Sequence, residues 1–308
     1  MVLTTQHLEA GDRHQIPLYL WNIEHPKATV LIAHGMAEHS RRYARIAEQL
    51  NRAGYNVAAI DHRGHGENSH SSHQKQGQFA EEQGWDRVLD DIGTAFDFLQ
   101  AIHDSSRVFV FGHSMGSFIV QAWLIRDRIK PSGVVLSGST YNCRPMLHIG
   151  RFITWLESCR IGRSGTSRLV SLLTFGSYNN GFKPTRTPCD WLSRDADEVD
   201  AYIADPDCGF PCTNSLWLDL FQGLLSITSV PALKKINAGL PIYIMGGSRD
   251  PVGRNGRGLQ QLANKLASAG INDIELDIWP DGRHEMLNET NRDEVTARLI
   301  GWLDKRSS

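Results

Sequence analysis

Residues 112–116, Gly-His-Ser-Met-Gly, place a serine between two glycines, directly after an apolar segment that ends at Phe111. The apolar segment 116–125 follows, so the serine stands between a predicted strand and a predicted helix. A serine on such a tight turn needs glycines two residues before and after it, because a β-carbon there would collide with neighbouring backbone. The hydroxyl is then held outward. The pattern therefore predicts Ser114 as the nucleophile of an acyl-transfer reaction.

A serine hydroxyl is a weak nucleophile at neutral pH and needs a general base, a task that histidine suits because its unperturbed pKa is about 6.5. Of the 13 histidines, only His148 and His284 follow Ser114 in the sequence. His148 lies at the start of a segment with no strand signal, whereas His284 lies just past the last predicted strand. Ligands bind at the carboxyl ends of strands in open α/β sheets. We therefore predict His284 as the base.

A carboxylate must hold the imidazole in the correct tautomer, so it has to reach the same edge of the sheet. Asp250 fits best because it follows the predicted strand 241–245 through a short loop, and Pro251 keeps that strand from continuing. Asp281 is the rival, being three residues from His284. We predict Asp250 as the residue that orients the base.

Acyl transfer also needs two N–H donors that stabilise the oxyanion. The Met115 amide follows the nucleophile directly, and the Met36 amide lies in a loop after an early predicted strand. Gly35 would let this loop approach the substrate closely. His34 and Glu38 either brace the same loop or have a role of their own. The turn 61–66, Asp-His-Arg-Gly-His-Gly, is interpreted as a scaffold without a catalytic role.

These residues require an α/β framework, and the chain alternates apolar runs of strand length with amphipathic stretches, the pattern of a mostly parallel sheet flanked by helices. No strand signal appears between about 139 and 237. We predict a hydrolase core formed by 1–138 and 238–308, with 139–237 inserted as a helical cap. Strands are predicted near 29–33, 56–60, 107–111, 133–136, 241–245 and 273–279, helices near 42–52, 86–102, 116–125, 258–269 and 294–305, and an antiparallel edge at 5–10 and 18–23.

The composition narrows the class of partner. The chain has 308 residues, and 32 basic residues against 34 acidic ones leave no electrostatic signature for nucleic acid or for an anionic membrane surface. No apolar run approaches the roughly 20 residues needed to cross a bilayer, and no basic start precedes an apolar segment. We therefore expect a small acyl ester as substrate, no nucleic acid partner, no membrane span and a cytoplasmic location. The oligomeric state is left open.

Five cysteines, an odd number, all fall in one region in the middle of the chain. Reduced thiols are the simplest interpretation. Cys208 and Cys212 have the spacing of half a zinc site, but no second pair of Cys or His residues stands at a suitable spacing nearby. The sequence therefore predicts no metal and no other cofactor.

Five segments together resemble the monoacylglycerol lipase and lysophospholipase branch of the α/β-hydrolases. The resemblance implies an α/β-hydrolase fold with Ser114, Asp250 and His284 as catalytic triad, in the chain order that this fold uses, and Met36 and Met115 as oxyanion amides. The segments are HGMAEHS with RY at 34–43, DHRGHG at 61–66, GHSMG at 112–116, SRDPV at 248–252 and RHEMLNE at 283–289.

The inserted segment 139–237 shows little resemblance to the eukaryotic lipases of this branch. Its stretch 190–195, Asp-Trp-Leu-Ser-Arg-Asp, is more similar to bacterial members. In the family a cap covers a lipid-binding tunnel, so its apolar side chains are candidates for the tunnel wall or, equally, for the core of the cap. If they face outward, peripheral membrane contact is expected. These candidates are Phe152, Trp155, Leu156, Leu172, Phe175 and Trp217.

The leading hypothesis is a serine carboxylic ester hydrolase that cleaves a monoacyl lipid ester, either a monoacylglycerol or a lysophospholipid, through an acyl-enzyme. A short-chain carboxylesterase, a thioesterase or an acyltransferase would use the same residues. A non-catalytic ligand-binding protein on the same fold is the alternative from another class. The near-zero net charge favours monoacylglycerol over a charged head group.

Overall fold

A single eight-stranded sheet forms the centre of the molecule in a computed structural model that describes residues 2–70, 75–102, 107–127 and 129–307. The strands are β1 (Val2–Glu9), β2 (Gln15–Asn22), β3 (Ala28–Ala33), β4 (Tyr55–Ile60), β5 (Val108–His113), β6 (Gly133–Ser137), β7 (Ile242–Gly247) and β8 (Ile274–Trp279). Their order in the sheet is β1-β2-β4-β3-β5-β6-β7-β8. The strands β3 to β8 are parallel to one another, whereas β2 is antiparallel to both of its neighbours, β1 and β4. This confirms the predicted α/β-hydrolase fold.

Helices cover both faces of this sheet, as expected when every residue of β3 to β7 is buried. On one face the Trp123 ring packs edge-on against Phe96, and on the other Trp302 packs against Phe109 and Tyr243. The helices of the core are α1 (Ala44–Arg52), α2 (Gly84–Ile102), α3 (Met115–Asp127), α9 (Arg257–Ser268) and α10 (Arg292–Ser307).

Most predicted boundaries agree with the structure to within one or two residues, and the largest difference that matters for chemistry is at β5. The strand was predicted to end at 111, but it continues to His113 because Gly112 and His113 pair in register with Leu136 and Ser137 of β6. Ser114 therefore follows the last paired residue of the strand directly. The helix α3 begins at the next residue.

Residues 139–237, called the insertion below, form no strand among the residues that the structure describes. One of its helices packs closely on the core, since a β-carbon on Gly223 would lie only 2.1 Å from the Trp85 ring of α2. We interpret the insertion as the predicted cap. Its helices are α4 (Arg144–Ile161), α5 (Arg168–Thr174), α6 (Ala196–Ala204), α7 (Asn214–Ile227) and α8 (Val230–Leu233). No helix in the described ranges is both long and apolar enough to span a bilayer.

The first turn of α3 lies against the end of β3, and Gly116 is the point of contact. A β-carbon on Gly116 would stand 2.1 Å from the Ala33 carbonyl oxygen, far inside van der Waals distance. Because both partners are backbone in packed elements, neither can rotate away. Gly301 in α10 offers the contrast, since nothing lies within 4 Å of the corresponding position.

We expect Gly116→Ala to lower the free energy of unfolding by about 1–3 kcal/mol or more, as overpacking does in rigid interiors. Gly301→Ala is the matched control, and it should raise stability by roughly 0.5–1 kcal/mol because alanine is the better helix former. Urea denaturation of both variants measures the difference. Equal stability of the two variants would contradict the close packing described here.

Candidate active site

Ser114 occupies a sharp turn between β5 and α3, with a left-handed backbone at φ 50°. Such a conformation is uncommon for a residue with a side chain, and it is frequent at functional sites. The turn is so tight that a β-carbon on Gly112 would lie 2.7 Å from the Gly116 carbonyl oxygen. The Ser114 amide donates to the Ser137 carbonyl of β6 at 2.9 Å, which fixes the turn to the sheet. The predicted need for both glycines is confirmed.

Asp250 and His284 meet at the same edge of the sheet, in the loops that follow β7 and β8. The Nδ1 of His284 lies 3.0 Å from the Oδ2 of Asp250, and both side chains are almost fully buried. The other carboxylate oxygen accepts the Val252 amide at 2.8 Å, so the carboxylate is oriented from both sides. Asp281, the rival in the sequence, is exposed.

The surroundings of His284 favour the protonated form of its imidazole. Burial alone lowers the pKa of His284, but the negative charge of Asp250 and its hydrogen bond act in the opposite direction, and the net pKa is raised above the ordinary value. Because Nδ1 faces the carboxylate, Nε2 is left to face another group. This is the arrangement that a general base requires.

Ser114 and His284 share neighbours, although no hydrogen bond joins them within the described residues. The His113 ring, adjacent to Ser114, packs on the His284 ring with centroids 4.8 Å apart. A β-carbon on Gly138, which follows the residue that accepts the Ser114 amide, would lie 2.9 Å from Cε1 of His284. Catalytic hydrogen bonds are often long before substrate binds. The structure thus brings all three predicted residues to one place.

The loop after β3 passes beside Ser114, as predicted for an oxyanion loop. A β-carbon on Gly35 would lie 3.2 Å from Cβ of Ser114. The Gly35 amide itself donates to Oε1 of Glu38 at 2.5 Å, so it is not free to bind substrate. The next amide in the loop belongs to Met36. On the other side, Met115 is the first residue of α3, where an N–H has no acceptor within the helix.

The turn 61–66 braces this loop from beneath. The His62 amide donates to Nε2 of His34 at 3.0 Å, which leaves the proton on Nδ1 to be donated to the Gly35 carbonyl at 2.7 Å. Burial lowers the pKa of His34, so the ring stays neutral. The Asp61 carboxylate accepts the Ser40 amide at 2.8 Å. These contacts confirm the scaffold role predicted for the turn.

A buried ionic bridge, not predicted from the sequence, joins two loops. The first, residues 34–39 after β3, is called the oxyanion loop because it holds the predicted Met36 donor, and the second, residues 280–291 after β8, is called the histidine loop. Arg42 donates to Glu38 at 2.7 Å and, through two nitrogens, to both oxygens of Glu285 at 2.7 and 2.8 Å. Burial raises the pKa of Glu285, but the Arg42 guanidinium outweighs it, and the net pKa is lowered. The spacing of Glu38 and Arg42, four residues apart, was the signal available in the sequence.

The insertion contacts the histidine loop through Trp191, which was not among the predicted wall residues. The Trp191 ring packs on His284 with centroids 5.0 Å apart, and its carbonyl accepts the His284 amide at 3.3 Å. The Glu285 amide donates to the next carbonyl, that of Leu192, at 2.8 Å. The segment around Trp191 is therefore anchored to the core.

The six predicted wall residues fall into two groups. Phe175 packs on both Trp191 and Trp217, with centroids 6.1 and 5.6 Å apart, so Phe175 and Trp217 extend an aromatic row from His284. The other four are exposed on α4 and α5. They are Phe152, Trp155, Leu156 and Leu172.

We expect Asp250→Asn to lower the pKa of His284, because the substitution removes the charge that raises this pKa and leaves the burial that lowers it. Asp281→Asn, in the same region but exposed, is the matched control and should leave the pKa unchanged. Titration of the imidazole by NMR, with His284→Ala to assign its signal, measures both. A pKa that is unchanged in Asp250→Asn would mean that the pair does not form in solution.

Comparison with known proteins identifies the family to which this chain belongs. The profile of the family described as serine aminopeptidase, S33 (Hydrolase_4), matches residues 24–291. A monoacylglycerol lipase of Mycolicibacterium smegmatis is 27% identical over 281 residues, 90% of this chain and 88% of that protein. The monoglyceride lipase of Homo sapiens is 27% identical over 291 residues, 92% and 84% of the two chains. The structure of a thermostable carboxyl esterase from Bacillus coagulans superposes over 100% of both chains with a TM-score of 0.91 at 26% identity. The chain therefore belongs to the S33 family and, among the α/β-hydrolases, to the monoglyceride lipase-like branch.

Proposed function

We propose that this protein hydrolyses monoacyl lipid esters through an acyl-enzyme formed on Ser114. The observation that carries the proposal is the buried pair of His284 and Asp250 beside a serine held in a left-handed turn. The chain is a serine ester hydrolase by its family branch, and relatives named monoacylglycerol lipase and monoglyceride lipase support the choice of substrate.

The proposed reaction begins when Nε2 of His284 takes the proton of the Ser114 hydroxyl as its oxygen attacks the ester carbonyl carbon. Asp250 stabilises the imidazolium that results. The Met36 and Met115 amides bind the oxyanion of the tetrahedral intermediate. His284 then gives the proton to the departing alcohol, leaving the acyl group on Ser114. A water molecule, deprotonated by His284, releases the fatty acid and restores the serine.

An apolar region of the insertion supports an acyl chain as the part of the substrate that the insertion recognises. The aromatic row that starts at His284 continues from Trp217 to Phe221, with ring centroids 6.0 Å apart. Phe221 lines an open cavity of about 210 Å³ between α4, α5 and α7. The lining is mainly apolar, as a hydrocarbon chain requires. Its other residues include Met146, Ile149, Ile153, Val170 and Leu173.

We expect Ser114→Ala to reduce turnover of monoacylglycerol by roughly a thousandfold or more, since loss of a nucleophile leaves only binding and oxyanion stabilisation. Ser268→Ala, at an exposed position of α9, is the control and should keep full activity. A fluorophosphonate probe should label the wild type and the control but not Ser114→Ala. A folded wild type that is neither labelled nor active would favour a non-catalytic binding protein.

The same assay separates the related enzyme classes. Monoacylglycerols, lysophospholipids, short nitrophenyl esters and acyl thioesters are compared by kcat/KM. Faster turnover of long-chain monoacyl esters than of short ones supports the proposal. The reverse order would indicate a short-chain esterase, and transfer to added alcohols in place of water would indicate an acyltransferase.

The exposed face of α4 and α5 favours peripheral binding to a lipid surface. Nine of the 12 large apolar side chains that are exposed in the described ranges lie between residues 146 and 173. Residues 144–168 also carry five arginines and one glutamate, a local excess of positive charge that the nearly balanced composition of the whole chain does not reveal. An apolar face with basic residues is typical of segments that bind anionic membrane surfaces. The nine are Met146, Ile149, Phe152, Trp155, Leu156, Ile161, Leu169, Leu172 and Leu173. The cytoplasmic location stays a prediction from the sequence.

We expect the double variant Phe152→Ala/Trp155→Ala to bind vesicles that contain phosphatidylglycerol more than about tenfold more weakly than the wild type, because each ring buries a large apolar area in lipid. Leu3→Ala, which removes an exposed leucine from β1, is the control. Sedimentation with vesicles measures the affinity. Equal binding of the double variant and the control would exclude this face as the contact.

A further inference from the structure

Three side chains that can bind metal ions meet where the insertion contacts the oxyanion loop. His39, Asp205 and Cys208 each bring one ligand atom to within 4.8 Å of the other two. His39 and Cys208 are buried, whereas the Asp205 side chain is 32% exposed, which gives solvent and ions access from one side. The sequence predicts no metal here because the ligand spacing along the chain is unsuitable. In the folded chain, His39 lies next to Asp205 and Cys208 although it is far from both in the sequence.

The surroundings hold these side chains in place. Nε2 of His39 lies 2.9 Å from Oδ2 of Asp205, and the other carboxylate oxygen accepts the Asp207 amide at 2.9 Å. The Cys208 amide donates to the Asp205 carbonyl at 3.1 Å, which closes a turn that keeps the carboxylate and the sulfur on one side. Hydrogen bonds of this kind, which orient the ligands, accompany most metal sites in proteins.

The combination of ligands indicates which ion fits. A sulfur, an imidazole nitrogen and a carboxylate oxygen are the ligand types of zinc, whereas calcium and magnesium bind oxygen. In a tetrahedral zinc site the ligand atoms lie roughly 3.3–3.8 Å apart, so the three atoms here would need only a small movement. We propose that His39, Asp205 and Cys208 form a zinc site, with water in the fourth position.

The charges of the site are compatible with a divalent cation. On binding, the Cys208 thiol releases its proton to solvent, and the thiolate and the Asp205 carboxylate together neutralise the ion. For zinc to bind, Nε2 of His39 releases its proton to solvent and Nδ1 takes one up, so that the neutral ring presents the Nε2 lone pair to the ion. Arg42 is a neighbouring cation, but it is already paired with Glu38 and Glu285.

The site would add a further link between two parts of the molecule that are already in contact. The Gly209 amide and the Tyr202 hydroxyl both donate to the Ala37 carbonyl, at 2.9 and 3.0 Å. Ala37 lies in the loop that carries the Met36 amide. Zinc would add a stronger link between this loop and the segment after α6. The proposal does not depend on which ester the enzyme cleaves.

Cobalt(II) provides the test, because a cobalt ion bound by a thiolate has a charge-transfer band in the near ultraviolet. The parent protein is the full chain without an affinity tag, with Cys143→Ser and Cys159→Ser to remove the two exposed thiols. We expect one cobalt per chain, the thiolate band, and displacement of cobalt by zinc. Zinc should also raise the melting temperature of the parent. The triad contains no thiol, so an ion bound there gives no such band.

Variants at the site locate the ion. Cys208→Ser should abolish the band, and His39→Gln should weaken zinc binding by more than about tenfold, since even the loss of a neighbouring hydrogen-bond partner has that effect. Cys212→Ser, a second buried cysteine, is the matched control and should keep the band. Circular dichroism establishes that each variant folds. A parent protein that binds cobalt without a thiolate band, or a band that survives in Cys208→Ser, would overturn the proposal.

Discussion

The structure depends on one steric constraint, which is that three backbones approach one another where the nucleophile turn is formed. The start of α3 lies against the end of β3 and beside β5, at distances that only residues without side chains allow. This packing holds Ser114 in a conformation that costs roughly 1–3 kcal/mol when nothing enforces it. The buried sheet enforces it, because the strands around the turn are covered on both faces.

A second constraint is electrostatic. Arg42 lies between two buried carboxylates, one in the oxyanion loop and one next to His284. Buried ion pairs contribute little net stability, but removing one partner typically costs about 3–5 kcal/mol because a charge is left unpaired. The bridge is therefore best understood as a device that fixes the relative position of two loops, one of which carries the Met36 amide and the other His284.

Much of the fold and of the candidate site could be predicted from the sequence. Apolar periodicity located the strands of the core, and the rule that ligands bind at the carboxyl ends of strands pointed to Asp250 and His284. Asp281 also follows a strand, so the sequence left it as a rival, and its exposure in the structure separates the two. The contacts of Arg42 with Glu285 and of Trp191 with His284 were missed, because nothing local marks pairs that are so distant along the chain. The insertion was also beyond prediction in detail. Its apolar residues serve as core at Trp217 and face outward at Trp155, and periodicity alone does not distinguish these outcomes.

The insertion is attached unevenly to the core. The segment around Trp191 is hydrogen-bonded to the histidine loop, and Arg194 pairs with the buried Glu289 of the same loop at 2.8 Å. By contrast, the polar contacts of α4 and α5 in the described residues are made elsewhere, as when Arg144 donates to the Leu225 carbonyl. The position of the imidazole is thus supported by the part of the insertion that is hydrogen-bonded to the core, and a change in the polar contacts of α4 and α5 would leave that support intact.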